Sequence, residues 1–223
     1  MKRVTLLSVT VIVLMFFTVP ANAFEATGKL GLGFNGGLSI PAGGDITTDS
    51  TFSDFFDLGP AFGVHVNYGI IKEVSIETGF RYAFMKMKDD VNDDPENEPN
   101  VVVPQIYLNG ILNLGSFFNN PENRLNPFVK AGVALVPWKA TDDGPGGDAI
   151  IMENGEEFKK TSFGLNFGAG LEVYATPNLS LFAEGQYLMI FSEDKDKFGE
   201  EFGNLGDINI NVGLTYYIPL TGM

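Results

Sequence analysis

Residues 162–191 read SFGLNFGAGLEVYATPNLSLFAEGQYLMIF, and the fold turns on this stretch. In its first arm Phe163, Leu165, Phe167, Ala169, Leu171 and Val173 alternate with Gly164, Asn166, Gly168, Gly170, Glu172 and Tyr174. A period of two with unlike partners is a strand with two unlike faces. The second arm sets Leu179, Leu181, Ala183, Tyr187 and Met189 against Ser180, Phe182, Glu184 and Gln186, and Pro177 and Asn178 between the arms supply turn chemistry. The two arms predict one antiparallel hairpin.

The same alternation recurs outward in both directions. It predicts strands over 29–40, 62–70, 74–84, 105–114, 129–138 and 208–218, which with the hairpin makes eight. Long loops over 41–59, 88–100, 139–161 and 192–206 alternate with three shorter links, and Pro95 and Pro99 keep the second loop from regular pairing. An even number of strands with long loops at one end and short turns at the other is the layout of a transmembrane barrel. Ten residues at about 3.3 Å, tilted by about 40°, span about 25 Å, the apolar height such a barrel needs. The predicted class is all-β: an eight-stranded, antiparallel, up-and-down transmembrane β-barrel.

Alternation alone does not say which face points outward, because a soluble barrel alternates with the opposite sense. Three features place the polar face inside. Charge on that face is nearly exhausted by Lys29, Glu77, Arg81, Lys130, Glu172 and Glu184, whereas a soluble surface carries about a quarter to a third charged residues. Glycine and small residues on it suit a cramped interior. The opposite face is almost continuously Leu, Val, Ile, Phe and Ala, with Tyr68, Trp138, Tyr187 and Tyr216 near strand ends as an aromatic girdle.

Lys2 and Arg3 precede an apolar run from Val4 to Val19 and then Pro20 and Ala21-Asn22-Ala23. That is a secretory signal with a small-x-small cleavage site, so residues 1–23 are the expected signal peptide and 24–223 the barrel domain. A single-span anchor is the other reading, but Thr5, Ser8, Thr10 and Thr18 interrupt a run already short for one. The absence of cysteine excludes a disulfide framework, a thiolate metal site and a cysteine nucleophile. A net charge of −14 argues against nucleic acid as a partner.

GAGLEVYATPNLSLFAEGQY, over 168–187, resembles the closing part of the OmpA-like and OmpX-like small outer-membrane β-barrels. Asn126-Pro127-Phe128-Val129-Lys130-Ala131-Gly132-Val133 is similar to that family's Pro-aromatic-x-x-Ala-Gly strand. Asn211, Gly213, Tyr216 and Ile218 fit the pattern that the outer-membrane assembly machinery reads in last strands, although here Pro219 to Met223 follow it. The likeness is to the stand-alone, OmpX-like members without a peptidoglycan-binding domain. It implies a bacterial outer-membrane location, contact with outer-membrane lipid and lipopolysaccharide, and delivery by the assembly machinery.

Glu77, Arg81, Lys130, Glu172 and Glu184 share the lumen face, and charges there must be paired, with His65 or water completing one network. Such a network either plugs the barrel or lines a conducting or ligand-binding lumen. His65 is the only imidazole, and no nearby serine completes a catalytic motif, so no catalytic residue, cofactor or metal site is expected. Most of the 28 acidic residues fall in the long loops, as a solvated rim or as a surface for divalent cations. Asp194-x-Asp196-x-x-Gly199 begins like a calcium loop, but Leu205 occupies the position of the bidentate acid. Phe52, Phe55 and Phe56 read as packing within the first loop, or as a contact patch. The expected role is a structural or surface-interaction barrel that meets an extracellular ligand through its loops. The alternative is a small channel or transporter for small or hydrophobic compounds.

Overall fold

The computed structural model describes residues 27–92, 96–117, 124–152 and 154–220. The expected signal peptide, Pro95 and the loop carboxylates Asp93, Asp94 and Glu153 lie outside the described residues. Eight long strands run as β1 (Lys29–Pro41), β2 (Gly59–Gly69), β3 (Val74–Lys86) and β4 (Asn100–Asn113), then β5 (Leu125–Thr141), β6 (Lys159–Thr176), β7 (Leu179–Ile190) and β8 (Leu205–Pro219). They close into one antiparallel barrel in chain order, with β8 returning to β1 from Lys29↔Pro219 to Pro41↔Asp207.

Closure fixes the shape. Cross-strand partners followed once around the wall, Leu30, Tyr68, Ile76, Gly110, Ala131, Phe167, Tyr187 and Ile208, arrive back on β1 at Ile40, so the stagger is the step from 30 to 40. Eight strands sheared by that much tilt about 40° and enclose a wall of about 8 Å radius, which inward side chains fill. Phe34, Val64 and Ile106 point outward and are exposed, while Asn35, Asn109 and Asn166 point inward and are buried. The polar face is inside, in the sense predicted from its scarcity of charge.

Five strands outrun their predictions at the long-loop end by three residues or more: β2 begins at Gly59, β4 at Asn100, β6 at Lys159 and β8 at Leu205, and β5 continues to Thr141. There the alternation fades, because inward positions become apolar as well. Met85, Val101, Val103, Val136, Leu188 and Ile190 are buried inside the barrel mouth. Onto them the loops lay Phe52 and Phe56, the first residue and the C-cap of the short helix α1 (Phe52–Phe55), and Phe158, Phe198 and Phe202, of which Phe198 ends α2 (Lys195–Phe198). The lumen is thus polar toward the short-turn end and capped by an apolar core at the loop end.

Trp138 corrects one expectation. It is no girdle residue: it is 2% exposed, inside the cap, and its indole N–H donates to Ser162 Oγ at 3.1 Å. It shares the inward parity of Lys130 and Ala134, so the alternation of β5 already placed it inside. Phe158, Phe198 and Phe202 surround it with ring centroids 5.5, 5.5 and 5.9 Å away. Phe52 and Phe56 are buried here too, which is the loop-packing reading of that cluster.

A wall closed on itself, with a capped interior, resists detergent. The unheated protein is expected to migrate faster than the boiled protein on a dodecyl sulfate gel, and equal migration would count against closure.

Candidate functional site

The buried ion pairs come from β3, β5 and β7. Glu184 Oε1 accepts from Arg81 at 3.1 Å and Glu184 Oε2 lies 2.6 Å from Lys130 Nζ, which also donates to Glu77 Oε1 at 3.1 Å. β3 and β7 stand on opposite sides of an eight-stranded wall, so this chain of pairs crosses the lumen. All four side chains are buried, and neutral groups take up further valences: Asn109 donates to Glu77 at 3.1 Å, Asn211 to Glu184 at 3.3 Å, and Arg81 donates to Gln186 Oε1. Such a pair is sustained only when remaining donors and acceptors are met, because desolvation otherwise exceeds the attraction.

Glu172 and His65 stand apart from these ion pairs. Glu172 lies nearer the short-turn end, where its carboxylate accepts from four neutral donors on four consecutive strands. They are Asn126 Nδ2 (3.2 Å), the Tyr174 hydroxyl (2.6 Å), Ser180 Oγ (2.6 Å) and the Tyr217 hydroxyl (2.7 Å). His65 Nε2 pairs with Thr215 Oγ1 at 3.0 Å, and its ring meets the edge of Phe182 at 5.4 Å. Gly33 on the adjacent strand makes room for that imidazole, since a Cβ there would collide with the ring. Gly79 does the same for Tyr107, whose hydroxyl would lie 2.5 Å from an added Cβ.

Between the two carboxylate groups lies a cavity of about 30 Å³, lined by His65, Glu77, Glu172, Tyr174, Phe182 and Tyr217. It has room for about two waters. Chemically, the interior holds charge and pairs it. The hydrogen bond His65 makes is to a threonine hydroxyl, not to a serine nucleophile or an orienting carboxylate, as a triad would need. Among the described residues no group of three or more His, Asp or Glu could hold a metal ion.

The four residues of the last-strand pattern divide by face. Asn211 and Gly213 look into the barrel, Asn211 toward Glu184 and Gly213 under Phe182, whose ring would sit 2.6 Å from an added Cβ. Tyr216 and Ile218 face outward and are exposed. Sequence reading placed the amides Gln105, Asn109 and Gln186 on the inward face without giving them a role, and it overlooked the buried Asp207, which accepts from Ser39 at 2.7 Å and Asn209 at 2.8 Å. Their inward parity was the available signal. On the rim, Asp54 accepts from the N–H and the hydroxyl of Thr51, both at 2.8 Å, and the backbone bond above all holds it below the usual carboxylate range. That turn starts α1 and seats Phe52 in the cap.

Residues 9–217 match the outer membrane protein beta-barrel domain family. The chain belongs to that family. It is an outer-membrane β-barrel, and the family places it in the bacterial outer membrane. Among solved structures it is similar to Neisserial surface protein A, at 14% identity and a TM-score of 0.56, over 85% of this chain and 97% of that one. It is similar also to OprG from Pseudomonas aeruginosa, at 9% identity and a TM-score of 0.53 over 88% and 99%. The attachment invasion locus protein Ail of Yersinia pestis, in complex with the heparin analogue sucrose octasulfate, aligns at 11% identity and a TM-score of 0.51 over 86% and 99%. At such identities the likeness is one of fold. No curated protein matches the sequence.

Removing one partner of the buried ion pairs leaves an uncompensated charge. Glu184→Leu is expected to destabilise the barrel by about 3–5 kcal/mol. Glu172→Gln, whose donors are neutral, is expected to cost about 1–3 kcal/mol. Urea unfolding in detergent, followed by far-ultraviolet circular dichroism, checks the order; an equal cost for both would remove the distinction between them.

Proposed function

We propose that this protein is a closed outer-membrane barrel with a structural or surface-interaction role. In this reading it is exported through cleavage of residues 1–23, and its acidic loops are its working surface. The observation that carries it is the double obstruction of the lumen. The Arg81–Glu184–Lys130–Glu77 chain crosses the lower interior, and the Trp138 aromatic core fills the mouth above it. An eight-stranded wall encloses little more than its own side chains, so a plug needs nothing else. Catalysis has no support in what His65 bonds to.

The rim then selects by charge. With a net charge of −14 and most carboxylates in the loops, an extracellular ligand is cationic, or is bridged by divalent cations to lipopolysaccharide phosphate. The sulfated ligand seen on Ail would be repelled by such a surface. Asn211, Gly213, Tyr216 and Ile218 serve, on this reading, as the docking pattern for the assembly machinery.

Two measurements test the proposal. In planar bilayers the refolded protein is expected to show no stable, sizeable open state; a steady conductance would sink the plug. Binding of a highly sulfated polysaccharide at low salt is expected to be absent, and saturable binding would overturn the charge argument.

A further inference from the structure

Lys130 is gripped by two carboxylates of unequal surroundings. Its Nζ lies 2.6 Å from Glu184 Oε2 and 3.1 Å from Glu77 Oε1, and the lysine and the two acids are only 4%, 6% and 6% exposed. The two oxygens of Glu184 differ: Oε2 faces the amine, whereas Oε1 accepts from Arg81 Nη2 at 3.1 Å and from Asn211 Nδ2 at 3.3 Å. A nitrogen 2.6 Å from one carboxylate oxygen stands about 3.4 Å from the carboxylate carbon, which is a near-attack separation. An amine, a base in contact with it and two donors on the oxygen that would take up negative charge are the parts of an acyl-transfer site.

Burial supplies the driving force. In water an ammonium and a carboxylate are favoured over their amide because water solvates the ions; inside the barrel that solvation is lost, and the reactants are already held in contact. Replacing Lys130 and Glu184 by one amide leaves the charge balance of the cluster unchanged, because Arg81 and Glu77 then offset each other. The amide would find its partners in place. Its carbonyl oxygen, the present Oε1, keeps Arg81 and Asn211, and its N–H keeps Glu77 Oε1. The water set free has a place as well, since Glu77 and Glu184 both line the cavity of about 30 Å³.

We propose that Lys130 and Glu184 are joined across the lumen by a self-formed isopeptide bond, with Glu77 as the catalytic acid–base. Glu77 takes a proton from Nζ, and the freed lone pair attacks Glu184 Cδ while Oε1 carries the negative charge against Arg81 and Asn211. Glu77 passes that proton to Oε2, and the second proton leaving the nitrogen follows by the same route. The Nζ–Cδ bond has then formed and the Cδ–Oε2 bond has broken. The products are one amide and one water, Glu77 is again a carboxylate, and no oxidant or cofactor is consumed. The bond ties β5 to β7 and turns the ion-paired plug into a covalent strut. It goes beyond the closed-lumen reading, for which the ion pairs alone suffice.

Mass spectrometry reads the bond directly. Protein refolded from urea into detergent is expected to start at the full mass of its chain and to become lighter by one water after the barrel has formed, as heat-shifted gel migration records. Trypsin is then expected to release 125–139 joined to 161–195, because the modified Lys130 is no longer cleaved. Lys130→Arg keeps the charge without the amine and is expected to stay at full mass. Glu77→Gln keeps the amine and its target but not the base, and is expected to slow the loss of water by about a hundredfold. Full mass in the folded natural protein, or loss of water without that branched peptide, would overturn the bond; loss at the natural rate in Glu77→Gln would overturn the role of Glu77. Conductance, by contrast, speaks only to the plug, so the two proposals fail separately.

Discussion

Everything in this molecule follows from closure of the backbone ladder. In hydrocarbon a peptide N–H or C=O has no water to turn to, so a sheet can cross a bilayer only if its last strand pairs with its first. β8 meets β1 along the full length of β1, and the stagger imposed by that meeting sets tilt and radius together. Interior space is then a consequence, not a choice. With so little of it, long inward side chains reach across to the far wall, as Arg81 on β3 reaches Glu184 on β7.

The interior is resolved into layers of different chemistry. At the short-turn end a carboxylate is held by hydroxyls and an amide; at mid-height two acids and two bases offset one another; at the loop end the filling is aromatic and aliphatic. Each layer uses a different means of making burial tolerable: hydrogen bonds to a lone charge, mutual neutralisation, and removal of polarity altogether. Pairing between β4 and β5 lapses where Pro104 opposes Pro137, at the level of the aromatic layer.

Period-two alternation made the strands legible, and scarcity of charge on one face made the inside legible, because both are local properties of adjacent residues. The Glu77, Arg81, Lys130 and Glu184 positions were legible as lumen residues for the same reason. Their partition was not: Glu172 and His65 share the inward parity, but height along the barrel depends on register, which alternation does not encode. Trp138 was misread because aromatic identity near a strand end was given more weight than parity. The extra length of β4, β5 and β6 was hidden where both faces turn apolar, as in Val101-Val102-Val103 and Leu135-Val136, and where Pro104 imitates a strand end. A proline in a wall strand is visible in sequence; that two of them oppose each other is a fact of pairing alone.

The four donors to Glu172 carry a consequence for the order in which the barrel is made. They arrive from β5, β6, β7 and β8, and the last of them, Tyr217, belongs to the strand that closes the wall. The β6–β7 hairpin can bring Tyr174 and Ser180 by itself, but a sheet lacking its final strand leaves one carboxylate oxygen short of a donor. Arrival of β8 thus satisfies a side chain and completes the wall in the same event. Zipping of the backbone and burial of that charge become one cooperative step, and a nascent barrel stays energetically unfinished until its last strand has docked.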